Sequence, residues 1–147
     1  KGVLGGAAIA VSYANNMVCE LDEEMPVVHI NEFVIWEIIE PLIQNSIDHS
    51  NRGDLLIRLV TKYDKERRIS RLIIEDNGKG IARELLIKNE SGIRLIFTEN
   101  ATTKPDGIMN AGYGCYIAHE MSRRCGWEID AENNETEGCR FIITIKH

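Results

Sequence analysis

Long apolar runs, paired cysteines and an excess of basic residues are all missing from this 147-residue sequence. It has no run near the ~20 apolar residues that cross a bilayer and no secretory signal at its start, so no membrane contact is expected. None of its four cysteines forms a Cys-x-x-Cys pair, which favours reduced, packed thiols in a cytosolic protein over a zinc site. The formal charge is −6 and the basic residues are scattered, which argues against nucleic acid as a partner.

The apolar patterning that is present predicts one domain. Residues 1–16 are rich in Ala and Gly and are predicted to be a linker or the end of an upstream segment of a longer protein, since the sequence lacks an initial Met. The domain would span residues 17–147. Apolar residues at spacings of three and four predict a long helix over residues 31–50, which Pro41 should kink, and another over residues 112–125. Alternating runs predict strands at residues 17–21, 55–61, 69–75, 127–131 and 140–145. The expected fold is α+β, a two-layer sandwich with helices on one face of a mixed, mostly antiparallel sheet.

One of these strands ends in a motif that lets backbone approach a partner closely. The strand at residues 69–75 is followed by Asp76, by Gly78 and Gly80, and then by a short helical pattern at residues 81–88. A carboxylate at a strand end accepts hydrogen bonds and suits an exocyclic amine such as that of adenine, while glycines admit a flat base. The alternative is an ordinary Asn-Gly hairpin turn, which would require an alternating strand straight after it.

Two further polar stretches carry ligand chemistry. Asn45 lies near the apolar boundary of the first long helix, where its amide oxygen suits Mg²⁺; the alternative is a hydrogen-bonded amide at the edge of the core. Thr103 and Lys104 lie in a long predicted loop (residues 89–111) before Gly112-Tyr113-Gly114, and backbone N–H groups at a helix start attract phosphate. The chain has no Gly-x-x-x-x-Gly-Lys-Ser/Thr motif and no complete dinucleotide fingerprint.

Taken in order, these motifs resemble those of the GHKL ATP-binding fold, and within it the catalytic ATP-binding domain of sensor histidine kinases. Residues 40–50 look like that family's N box, residues 76–81 like its first glycine box, residues 96–98 and 102–104 like its F box and lid, and residues 112–118 like its second glycine box. The resemblance covers about residue 17 to the end and implies the Bergerat-type sandwich of the family.

The resemblance implies roles by position. Asn45 would bind the Mg²⁺ that bridges the ATP phosphates, Asp76 would accept from the adenine amine, and Gly80 would give the close backbone approach. Phe97 would anchor the lid, and Gly112-Tyr113-Gly114 would supply its hinge and a phosphate contact. The other positions implied to contact the nucleotide are Asp48, His49, Gly78, Ile81, Thr102, Thr103, Lys104 and Cys115.

The activity implied by the resemblance is phosphotransfer. Members of the family bind Mg·ATP and donate the γ-phosphate to a histidine on a separate dimerisation domain, from which a response regulator aspartate receives it. No histidine of this chain has the context of that acceptor, so the acceptor is expected elsewhere. The implied partners are ATP or ADP, the dimerisation domain and the response regulator, in the cytoplasm or on the cytoplasmic side of a membrane-anchored sensor.

Several positions depart from the family pattern. Pro41 stands where ATP-hydrolysing relatives place the Glu that activates water, and the neighbouring Glu40 is a weaker candidate for a catalytic base. Asp48 stands where a basic residue is frequent, and Cys139 where a Thr hydroxyl lies near the base. Cys115 replaces a common Leu and is expected to pack in the core. A GHKL-type hydrolase acting as a switch and a non-catalytic nucleotide-binding module therefore stay open as alternatives.

Overall fold

A single mixed sheet organises the molecule. The computed structural model describes residues 16–28, 32–48, 55–99 and 110–147, and in these residues five strands lie in the spatial order β1-β2-β3-β5-β4. They are β1 (Asn16–Glu20), β2 (Leu56–Asp64), β3 (Ile69–Asp76), β4 (Glu128–Asn133) and β5 (Cys139–Lys146). β1 runs parallel to β2, and the other three neighbouring pairs are antiparallel, which confirms the mixed, mostly antiparallel sheet.

Helices pack on one face of this sheet. The described helical elements are α1 (Glu32–Asp48), α2 (Arg83–Leu86), a 3-10 turn (Leu95–Phe97) and α3 (Asn110–Arg124). The predicted apolar stripe of α1 is buried: Ile35, Ile38, Ile39, Leu42 and Ile43 all belong to the core. α1 packs against α3 and continues through Pro41 without interruption. Among the described helices, none has the length and apolarity needed to cross a membrane.

The alternation along β3 delivers a carboxylate to the helix side of the sheet. Ser70, Leu72, Ile74 and Asp76 are buried, whereas the residues between them are only partly buried. Ile74 pairs with Leu59 on β2 and with Phe141 on β5, so the buried row continues on both sides. Because side chains alternate along a strand, Asp76 lies on the core-facing side, at the point where β3 leaves the sheet.

Several predicted boundaries differ from the observed ones. β2 continues to Asp64, which pairs with Ile69, so it is longer than the strand predicted at residues 55–61. The predicted loop at residues 89–111 contains the 3-10 turn, and α3 begins at Asn110 rather than Gly112. The short helix predicted at residues 81–88 spans only α2. Residues 29–31, 49–54 and 100–109 lie outside the described residues.

Candidate nucleotide-binding site

Asp76 is a buried carboxylate at the carboxyl end of β3, with 8% of its surface exposed. Its Oδ1 accepts the N–H of Gly78 at 2.9 Å and the N–H of Cys139 at 3.4 Å. Its Oδ2 accepts the Cys139 thiol at 3.5 Å. Burial, and then the Asp76 charge, raise the pKa of Cys139, so the thiol is protonated at neutral pH and acts as the donor. Since a carboxylate offers about four lone-pair sites, Oδ2 retains capacity for a further donor.

The segment after Asp76 is not a hairpin turn. The neighbours of β3 are β2 and β5, and the chain that leaves Asp76 proceeds to α2 rather than to a paired strand. Asn77 extends the β2–β3 ladder by one residue: its N–H donates to the Leu56 carbonyl at 3.3 Å, and its Oδ1 accepts the Leu56 N–H at 2.8 Å. The hydrogen bond from the Gly78 N–H to the Asp76 side chain then closes a turn, and the chain changes direction there. The plain hairpin is thereby excluded.

Gly80 and Ile81 form the next part of this turn. Gly80 has φ +85°, a left-handed conformation that favours glycine, and an added Cβ would lie 2.9 Å from Asn133 Oδ1. Ile81 is buried in the core. Both its main-chain polar groups bond to Asn133: the N–H donates to Oδ1 at 2.7 Å, and the carbonyl accepts Nδ2 at 2.9 Å. Gly80 is thus required by its own φ and by its contact with Asn133, and its close approach to a base stays a prediction.

The end of the β4–β5 hairpin supports the other side of the turn. Gly138 has φ +79°, and an added Cβ would lie 1.9 Å from the Asp76 carbonyl oxygen. Asn134 donates from Nδ2 to the same carbonyl at 3.3 Å. Asn133, Asn134 and Gly138 were missed as site residues because they read as an ordinary polar loop between two strands. The family departure at Cys139 was the one sequence signal that pointed to this hairpin.

α1 presents its candidate residues on different faces. Asn45 is half-buried and Glu40 is exposed. Pro41 is half-buried and faces α3, where an added Cβ on Gly114 would lie 3.0 Å from the Pro41 Cβ. Because residues four apart share a helix face, Asn45 lies one turn beyond Pro41 on the side that approaches α3. Asp48 is the last residue of α1, and His49 lies outside the described residues.

The second glycine motif lies in the first turns of α3. Gly112, Tyr113 and Gly114 are helical, so the predicted helix opening at Gly112 is wrong by two residues. Gly114 packs closely against Pro41 of α1. The Cys115 side chain is fully buried, and burial raises its pKa to about 12, in agreement with a packing role. The predicted lid residues Thr102, Thr103 and Lys104 lie outside the described residues.

Phe97 anchors the segment that precedes the predicted lid. Its ring is buried and stacks on His119, with centroids 5.3 Å apart, and meets Phe141 edge-on at 6.2 Å. It therefore ties the 3-10 turn to both α3 and β5. Burial lowers the pKa of His119, an effect that Arg123 reinforces and Glu120 opposes. The role predicted for Phe97 as an anchor of the lid stays a prediction, because residues 100–109 lie outside the described residues.

A separate groove of about 410 Å³ lies at the edge of β4. Arg94 crosses that edge: its Nε contacts Asp130 Oδ1 at 2.6 Å, and it donates to the Leu86 carbonyl at 2.8 Å. The lining residues are Lys88, Gly92, Ile93, Arg94, Phe97, His119, Glu128, Ile129, Asp130, Ile142 and Thr144. Neither Asp76 nor Gly80 belongs to this set, so the groove is distinct from the candidate base site.

Asn45 is the residue that the sequence assigns to a metal ion. Within the described part of the chain, no group of three or more His, Cys, Asp and Glu side chains could hold a metal ion. Mg²⁺ keeps several waters and relies on substrate phosphates rather than on a full protein cage. A single amide such as Asn45 fits that requirement, and the buried Asp76 carboxylate fits an amine donor of a base.

The sequence matches a known family over most of its length. Residues 31–147 match the model described as "Histidine kinase-, DNA gyrase B-, and HSP90-like ATPase". The chain is 27% identical over 127 residues to the sensor histidine kinase AtsR of Burkholderia thailandensis, which covers 81% of this chain and 19% of that protein. It is 25% identical over 126 residues to the alginate biosynthesis sensor protein KinB of Pseudomonas aeruginosa, covering 86% of this chain and again 19% of the relative. The chain thus spans a small part of these relatives.

Solved structures share the fold. The catalytic domain of histidine kinase ThkA superposes with a TM-score of 0.75 at 22% identity, covering 99% of this chain and 90% of that one. This likeness agrees with the sandwich built from β1–β5 and the helices on one face. It confirms the predicted α+β architecture.

Proposed function

Because this chain belongs to the family of histidine kinase-, DNA gyrase B- and HSP90-like ATPases, we propose that it binds Mg·ATP and donates the γ-phosphate to a histidine on a separate dimerisation domain of the same sensor kinase. Residues 17–147 would be the ATP-binding domain and residues 1–16 a linker. A response regulator would receive the phosphate next. The cytoplasmic location stays a prediction from the sequence.

The observation that carries the proposal is the open acceptor on Asp76. Among the residues that the structure describes, one carboxylate oxygen accepts two main-chain N–H groups, and the other accepts the Cys139 thiol alone. An adenine amine is a donor that such an oxygen can accept. Gly80 lies close by in a left-handed conformation, with its backbone held against Asn133 of the β4–β5 hairpin. Asp76 would therefore read the base, and Gly78, Gly80 and Ile81 would form its floor.

The remaining residues would serve the phosphates. Asn45 would supply an amide oxygen to Mg²⁺, and the first turns of α3 would offer main-chain N–H groups. Thr102, Thr103 and Lys104 are proposed lid contacts from the sequence. When bound, Mg²⁺ neutralises charge on the phosphates, so positioning and electrostatics account for most of the catalysis in phosphoryl transfer.

Pro41 favours transfer to a histidine over hydrolysis. Proline has no group that can activate water, and here it faces Gly114. Glu40 is exposed and lies about 100° round the helix from that position. The general base for the transfer would instead lie beside the accepting histidine, on the dimerisation domain, rather than on α1. Hydrolysis through Glu40 is therefore the weaker candidate.

Phosphotransfer by the full-length protein tests the proposal. With Mg·ATP labelled at the γ-phosphate, we expect an acid-labile protein phosphate, and we expect the 147-residue chain alone to turn over little ATP. Steady turnover by this chain, abolished by Glu40→Gln, would instead assign it to the hydrolases. ATP binding without any labelling of the full-length protein would make it a non-catalytic module.

A further inference from the structure

The Asn133 side chain, in the β4–β5 hairpin, forms hydrogen bonds to both main-chain polar groups of Ile81, which lies in the turn after β3. Asn133 is the last residue of β4, yet its amide contacts Ile81, which is 52 positions away in sequence. Oδ1 accepts the Ile81 N–H at 2.7 Å, and Nδ2 donates to the Ile81 carbonyl at 2.9 Å. An antiparallel neighbour would supply this same pair of bonds, so the amide replaces a strand where β3 has already ended.

The same amide also fits against Gly80. An added Cβ there would lie 2.9 Å from Asn133 Oδ1, which leaves no room for a side chain between the turn and the hairpin. On the other side, the Ile81 side chain is buried in the core with 9% of its surface exposed. The peptide between Gly80 and Ile81 is therefore confined by the amide, by the core and by the glycine's own left-handed φ of +85°.

We propose that Asn133 is a positioning residue for nucleotide binding, whose amide holds the Gly80–Ile81 peptide in the conformation that receives the base. The inference rests on the proposed function, because Gly80 is a floor for the base only if a nucleotide binds here. An amide offers a donor and an acceptor on two adjacent atoms, whereas a carboxylate of the same shape offers acceptors alone. Asp at position 133 would set a carboxylate oxygen against the Ile81 carbonyl, and Ala would leave both bonds unmade.

The test is a calorimetric titration of the 147-residue chain with Mg·ADP. Asn133→Ala and the nearly isosteric Asn133→Asp are compared with Asn89→Ala. Asn89 is a matched control, since its side chain likewise makes two hydrogen bonds to main chain: its Oδ1 accepts the N–H groups of Ser91 and Ile93 at 2.9 and 3.0 Å. No nucleotide contact is predicted for residues 89–93. Amide hydrogen exchange at Ile81 is followed in the same proteins.

With the two bonds lost, we expect Asn133→Ala to bind Mg·ADP about five- to twentyfold more weakly and to exchange the Ile81 amide faster. Asn133→Asp should weaken binding at least as much, and Asn89→Ala should stay within about twofold of wild type, since its bonds lie outside the turn. Faster exchange at Ile81 with unchanged affinity in both Asn133 variants would overturn the proposal and leave a purely structural clamp. If the wild type itself binds no nucleotide, the proposed function fails first and this inference falls with it.

Discussion

At the scale of single residues, the thiol of Cys139 takes a position beside the carboxylate that is proposed to read the base. Sulfur is a weak donor, but this thiol is 4% exposed and contacts Asp76 Oδ2 directly. Burial, followed by the Asp76 charge, raises the pKa of Cys139, so the proton that makes it a donor is retained. Cys139 therefore supplies Asp76 with a sulfhydryl donor at the position where the resemblance implies a hydroxyl.

Removing that donor should weaken nucleotide binding modestly. Cys139→Ala leaves Asp76 Oδ2 without its thiol partner, and we expect about two- to fivefold weaker Mg·ATP binding, because a neutral hydrogen bond contributes about 0.5–1.5 kcal/mol. Cys139→Ser should bind more tightly than Cys139→Ala. Cys125, half-buried near the end of α3, provides the control: Cys125→Ala should bind as wild type does. An equal loss in the Cys125 and Cys139 variants would contradict the assignment.

His119 predicts a pH dependence of stability. Burial lowers its pKa in the folded protein from an ordinary value of about 6.5, so the unfolded chain binds the proton more tightly. The contribution is complete above pH ~6.5 and is lost as the pH falls toward the folded pKa, with a slope of at most about 1.4 kcal/mol per pH unit. Urea unfolding between pH 7.5 and 5.5 should show this fall. His119→Phe should reduce this fall; a curve for His119→Phe identical to that of the wild type would refute the assignment.

At the scale of elements, the β4–β5 hairpin does more than complete the sheet. Its end carries Asn133, Asn134 and Gly138, which contact the Asp76–Ile81 turn by side chain and by backbone. The hairpin and the turn belong to strands that are neighbours in space, β3 and β5. The site is therefore built from two parts of the chain that the sheet brings together, rather than from the glycine motif alone.

Gly138 provides the sharpest element-scale prediction. An added Cβ would overlap the Asp76 carbonyl oxygen at 1.9 Å, whereas Gly92, with the same φ of +79°, has nothing within 4 Å of the equivalent position. Gly92→Ala should therefore cost only the left-handed conformation, about 1–2 kcal/mol. Gly138→Ala should lower the free energy of unfolding by at least about 2 kcal/mol more, because the backbone must move. If urea denaturation shows the same decrease in the free energy of unfolding for both variants, the close packing of Gly138 against the Asp76 backbone is contradicted.

Local patterns predicted the elements well and the contacts between them poorly. The spacing of Ile38, Leu42 and their neighbours predicted α1, and the alternation up to Asp76 predicted β3, because both patterns depend on residues close in sequence. Nothing local indicates that Asn133 bonds to Ile81, since that contact depends on the order of β3, β5 and β4 in the sheet. Polar residues between strands are typical of turns. The sequence therefore does not indicate that the β4–β5 hairpin also contacts the turn after β3.

At the scale of the whole molecule, the proposed base site and the α1–α3 contact lie on the same side of the sheet. Asp76 lies on the helix-facing side of β3, and Pro41 of α1 faces Gly114 at the start of α3. Phe97 ties the segment before the predicted lid to α3 and β5. A nucleotide held between Asp76 and Asn45 would therefore contact the sheet, α1 and α3 together.

The most direct test of this account is a calorimetric titration of Mg·ADP into the wild-type chain, Asp76→Ala and Glu75→Gln. Glu75 adjoins Asp76 on β3 but alternates to the other face, where it pairs with Arg58. We predict saturable binding to the wild type, about tenfold or greater weakening in Asp76→Ala, as expected for a hydrogen bond to a charged group, and no change in Glu75→Gln. Absence of binding at millimolar ligand, or equal binding by wild type and Asp76→Ala, would contradict the central claim that Asp76 reads the base.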